Sequence, residues 1–79
     1  MAIFGREVLG RSVLDRTGAT LGTLVDVHFE LNTGSISELV VRVEATVDPA
    51  ALPFEHDSTT VTIPASAVAR IAAKIHLNQ

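Results

Sequence analysis

From Leu21 to Leu31 the chain alternates. Leu21, Thr23, Val25, Val27, Phe29 and Leu31 share one parity, and Gly22, Leu24, Asp26, His28 and Glu30 the other. A period of two sustained over this length predicts a half-buried β-strand. Residues 36–44 repeat the pattern, with Leu39, Val41 and Val43 inward and Glu38, Val40, Arg42 and Glu44 outward. Between the two runs lies Asn32-Thr33-Gly34, a three-residue loop with glycine last, which suits a turn closed by a left-handed residue and so predicts a hairpin. Asp15-Arg16-Thr17-Gly18 carries the same turn chemistry and would join a short strand, 12–14, to the long one. Alternation resumes at Thr59 to Ile63, with Val61 and Ile63 inward.

Two segments break the period. Residues 45–57, ATVDPAALPFEHD, contain two prolines, which excludes a long central strand. Asp48-Pro49 has the chemistry to cap a single helical turn. Leu52 and Phe54 are expected to lid one end of the core, with a partner-docking tip as the other reading of the pair. The tail, IPASAVARIAAKIHLNQ, fits both periods: Val68, Ile71, Ala72 and Ile75 keep helical spacing, whereas Ile71, Ala73, Ile75 and Leu77 keep strand spacing. Alanine content leans towards helix without deciding it.

The glycines raise the question of a phosphate-gripping loop. Such a loop runs from a strand into a helix, whose N-terminus meets the anion. Gly18 and Gly34 lead into strands, Gly22 lies within one, and no lysine follows them. These glycines bend a sheet.

Composition narrows the picture. Seventy-nine residues are expected to form one domain, 1–79, with a thin core for which self-association is the natural support, since no cysteine is present for disulfides or thiolate metal sites. The net charge is −3, and the basic residues stand singly at Arg6, Arg11, Arg16, Arg42, Arg70 and Lys74. Nucleic acid is therefore not the expected partner. No apolar run approaches the ~20 residues of a bilayer-spanning helix. The N-terminus lacks the pattern of a secretory leader, so a cytoplasmic location is expected.

Little points to catalysis. Asp26, His28 and Glu30 share one strand face, but same-face neighbours lie almost 7 Å apart along a strand, too far for a ready-made metal or acid–base site. No serine sits in a Gly-x-Ser-x-Gly elbow. Asp26 is expected to bond turn backbone, and no cofactor or metal is expected. An interaction surface has more support. Leu24 and Val40 fall on the otherwise polar faces of strands that a hairpin joins, so they predict a joined apolar patch beside Arg42. Phe4 and Leu9 would either cover it within the chain or extend it towards a partner.

Taken in order, Gly10, Val13, Asp15-Arg16-Thr17-Gly18, the run Leu21 to Val27 with Gly22 and Asp26, Asn32-Thr33-Gly34 and Leu39-Val40-Val41 resemble the PRC-barrel family. Ile63-Pro64-Ala65-Ser66-Ala67-Val68 is similar to the family's step before its closing strand. The resemblance covers roughly 9–44 and 61–77. It implies an all-β fold, a small antiparallel barrel with a short helical turn near 65–69 and a last strand over about 71–77. It also implies a non-catalytic adaptor. A lone barrel looks most like archaeal cell-division members, which pair with one another and bind the membrane-anchor protein SepF. On that footing the chain would be a cytoplasmic homodimer recruited to the division site by SepF or another PRC-barrel protein, without inserting into the membrane itself. A ribosome-maturation accessory factor that binds a ribosomal protein is the alternative the same resemblance offers.

Overall fold

A computed structural model of the chain describes residues 9–71 and 74–78. Seven strands form one sheet: β1 (Ser12–Leu14), β2 (Thr20–Phe29), β3 (Ile36–Val43), β4 (Glu55–His56), β5 (Thr60–Pro64), β6 (Val68–Ile71) and β7 (Ile75–Leu77). The spatial order is β4-β5-β3-β2-β1-β7-β6. β5 and β6 stand near opposite ends of that order, yet only a 3₁₀ turn, Ala65–Ala67, separates them in the chain. A flat sheet could not satisfy so short a link. The sheet must roll until its two ends meet, which gives a small barrel-like shape. Asn78 extends the β6–β7 pairing onto this turn: its backbone N–H donates to the Ala67 carbonyl at 2.9 Å, and its Nδ2 donates to the Ser66 carbonyl at 3.0 Å.

The roll encloses a core of Val13, Leu21, Leu24, Leu39, Val41, Val61, Ile63, Ala67, Ile75 and Leu77. Inward parity in β3 and β5 follows the sequence pattern. The 3₁₀ turn Pro49–Ala51 forms where expected, with Asp48 Oδ1 accepting from the Ala50 N–H at 3.0 Å. Leu52 and Phe54 follow it and pack, half-buried, against the core.

Three expectations change. The sheet is mixed, because β1 pairs in parallel with β7 (Val13 with Ile75, Leu14 with His76). In the tail the expected short helical turn forms at Ala65–Ala67, and the described residues after it make two short strands in place of one. Val68–Ile71 and Ile75–Leu77 form an antiparallel pair that buries Ile75 and Leu77, and this tertiary burial outweighs the modest helix preference of alanine. The third change lies in β2. Leu24 stands opposite Val41 and Asp26 opposite Val40, so Val25 is an extra residue, a β-bulge. Inward parity switches there. Leu24, of the polar parity, turns into the core at 1% exposure, and beyond the bulge Val27, opposite Leu39, returns to the inner side.

Gly22 shows what allows β2 to lie so close to β3. A Cβ at this position would overlap the Arg42 carbonyl oxygen and stand 2.8 Å from the Arg42 carbonyl carbon and 2.9 Å from Val43 Cα. Those are backbone atoms, so no side-chain rotation relieves the overlap. Replacing Gly22 with Ala is expected to cost about 3 kcal/mol or more, and hence to lower the melting temperature by more than about 12 °C in a domain of this size. Thermal unfolding followed by circular dichroism checks this; a shift of about 2 °C or less would show that the strands can part without cost.

Candidate functional site

The outer face of the β2–β3 hairpin carries the titratable groups noted in the sequence. Asp26 lies opposite Val40, and His28 opposite Glu38. His28 Nδ1 is 3.4 Å from Glu38 Oε1, and both side chains are about half exposed, at 50% and 43%. Such a solvent-exposed pair contributes little to stability. Asp26 Oδ1 accepts the backbone N–H of Val27 at 2.8 Å, a partner within β2 where turn backbone was expected. Among the described residues no group of three or more histidine, aspartate or glutamate side chains converges as a metal site.

Concave places lie among the described residues. A shallow depression of about 370 Å³ is lined by Asp48, Pro49, Ala50, His56, Asp57 and Ser58. Its two carboxylates serve backbone: Asp48 caps the 3₁₀ turn, and Asp57 Oδ1 accepts from the Ser58 N–H at 2.8 Å. A smaller apolar cavity of about 160 Å³ lies among Asp15, Leu21, Leu52, Pro53, Phe54 and Leu77, beneath the Leu52/Phe54 lid.

The six candidate contact residues separate. Leu24 is a core residue and cannot meet a partner, so the Leu24/Val40 patch does not exist; the bulge at Val25 removes one of its two members. Val40 is half-buried on the outer face, between Asp26 of β2 and Thr62 of β5, and Arg42 is exposed on that face between Thr23 and Thr60. Phe54 is half-buried in the lid. Leu9 is 43% exposed, and Phe4 lies outside the described residues.

Two exposed apolar residues were not anticipated. Phe29 ends β2 at 46% exposure, and Leu31 stands at 99% exposure in the hairpin turn. Leu31 shares the parity of the inward residues, but Gly34 N–H donates to the Glu30 carbonyl at 2.8 Å and Glu30 N–H to Ser35 at 2.7 Å. The loop therefore begins at Leu31, and Gly34 takes φ 72°. One signal was available in the sequence: a strand residue immediately before Asn-Thr-Gly is as readily part of the turn as of the ladder.

Asp15 holds the other turn. Its Oδ1 accepts from the Thr17 hydroxyl and from the backbone N–H groups of Thr17 at 2.9 Å and Ala19 at 3.0 Å. The Thr17 hydroxyl is the main cause that lowers the carboxyl pKa below its ordinary 3.8, with the N–H donors adding to it and desolvation opposing. A depressed carboxyl pKa adds stability above 3.8 that is lost as pH falls through the folded-state value. Asp15→Asn should thus lower the melting temperature at pH 7, and its difference from wild type should shrink as pH drops below 3.8. A difference independent of pH, measured by calorimetry across that range, would contradict this.

No curated protein matches the chain. The model of the PRC-barrel domain matches residues 1–78, almost the full length. With the rolled seven-strand sheet already described, this settles the classification: the chain belongs to the PRC-barrel domain family.

Proposed function

We propose that this PRC-barrel chain is a non-enzymatic adaptor that works by protein–protein contact. The observation that carries the reading is the set of large apolar side chains left in water, Leu9, Phe29 and Leu31, on a protein whose described aspartates all serve backbone. In a chain whose core is this thin, three exposed large hydrophobics are better accounted for by a protein surface that covers them than by packing. Among the described residues no helix is long and apolar enough to cross a membrane, so attachment at a membrane would come through a partner.

The finer reading is a component of an archaeal division complex that meets a SepF-like membrane anchor or another PRC-barrel protein. Its support is membership of the PRC-barrel family, together with the apolar hairpin tip. Affinity capture from native lysate, with the wild-type chain beside the Phe29→Ser/Leu31→Ser variant, tests it. The wild type should recover a division protein or a second barrel, and the variant at least about tenfold less, since each buried large side chain is worth roughly 1.5–3 kcal/mol. Recovery of ribosomal proteins in place of division proteins would transfer the chain to ribosome maturation.

A further inference from the structure

At the Asp15 turn, three strands of the roll reach their termini side by side. Leu14 pairs with Thr20 of β2 and with His76 of β7, and Leu21, skipped by the β1 register, is an extra residue in β2. Leu77 stands one residue beyond His76, level with Asp15. Leu21 and Leu77 are buried core residues at this end. The cavity of about 160 Å³ beneath the Leu52/Phe54 lid opens over them. It lies at the Leu21 end of β2, away from Leu24, where Gly10 meets that strand.

Leu52, Pro53 and Phe54 form one wall. The 3₁₀ turn Pro49–Ala51 fixes its near end, because the Leu52 N–H donates to the Pro49 carbonyl at 3.2 Å. β4 fixes its far end, where Glu55 pairs with Thr62. Only Pro53 and Phe54 span the interval, and the proline ring locks φ at the first of them. The wall is therefore in place before a ligand arrives, which lowers the ordering cost of binding. Pro53 is exposed, and Asp15, Leu52 and Phe54 are half-buried, so the mouth is at the surface and the floor is core.

The lining is apolar except for Asp15. Its volume suits one large apolar side chain, since an engineered cavity of roughly 150 Å³ takes up a benzene ring. Asp15 adds a charge. Its Oδ1 is taken by Thr17 and Ala19, which hold the side chain in one orientation, and its Oδ2 carries no bond among the described residues. The same donors keep the carboxyl ionised at neutral pH. A fixed negative charge beside an apolar slot selects a ligand that is apolar at one end and cationic at the other. The net charge of −3 favours the same sign of partner.

We propose that this cavity docks an extended segment of a protein partner, with one large apolar side chain set over Leu21 and Leu77 against the Leu52–Phe54 wall, and an adjacent lysine or arginine at Asp15. This deepens the adaptor reading and rests on it in taking a protein as the ligand. The apolar side chain is the anchor, because it enters a preformed pocket and leaves water there. The basic residue orients the segment and rejects acidic competitors. It adds less to affinity, since Asp15 stays partly in water. With a single anchor, the isolated motif binds with a dissociation constant on the order of 1 mM.

Amide NMR titration of the full chain with three capped dipeptides, acetyl-Leu-Lys-amide, acetyl-Leu-Glu-amide and acetyl-Ser-Lys-amide, tests this. Addition to about 20 mM reads affinities of the expected size. The Leu-Lys form should shift the amides of Leu21, Leu52, Phe54 and Leu77 in a saturable way. The Leu-Glu form should bind about fivefold more weakly through loss of the charge contact, and the Ser-Lys form at least about tenfold more weakly through loss of the anchor. Asp15→Asn keeps an oxygen for the turn but loses the charge, so it should bring the Lys and Glu forms within about twofold of each other. In the wild type, salt at about 1 M should narrow the same gap, a readout that needs no variant to fold. Shifts with Leu-Lys that miss these four residues or never saturate, or equal binding of the Lys and Glu forms by the wild type, would overturn the site. Either failure leaves capture of a partner from lysate unaffected, so the adaptor reading is judged separately.

Discussion

The extra residue in β2 is the constraint on which the rest of the structure depends. Without Val25 as a bulge, the parity that carries Gly22 and Leu24 inward would continue into the hairpin half of β2. With it, Gly22 and Leu24 face inward on one side of the bulge and Val27 on the other. The first half can therefore press against β3 so closely that only glycine fits at residue 22, while Leu24 fills the core opposite Val41. The second half then extends beyond β1 as part of a projecting hairpin. The bulge thus sets the packing of the barrel at Gly22 and Leu24.

Much of this architecture was legible in the sequence. Turn chemistry at Asp15–Gly18 and Asn32–Gly34, alternation in β3 and β5, and the Asp48-Pro49 cap depend on nearest neighbours, and each formed as expected. What could not be read locally depended on pairing between distant segments. A bulge leaves no mark in an alternating run, so Leu24 was placed on the wrong face. The parallel contact of β1 with β7 decides the tail, since Ile75 and Leu77 find their core only beside Val13 and Leu14. Alanine propensity cannot express that.

The same reasoning applies to the candidate surface. The expected patch failed at Leu24 for a topological reason, and the exposed apolar residues lie instead at Leu9, Phe29 and Leu31. Leu31 was misjudged because parity carries no information about where a ladder stops. Asp26, His28 and Glu30 are exposed, and Asp26 bonds strand backbone at Val27 where turn backbone was expected. Adaptor function in a PRC-barrel of this kind would rest on strand edges and turn residues, the parts of a sheet that the core does not use.

The most direct test of this account is a methyl-labelled NMR structure of the hairpin. Strong contacts between the Leu24 methyl groups and Val41, with Asp26 rather than Val25 opposite Val40, are the predicted result. Leu24 methyl groups in solvent and an uninterrupted Leu21–Val27 ladder would contradict it, and the packing at Gly22 would have to be explained anew.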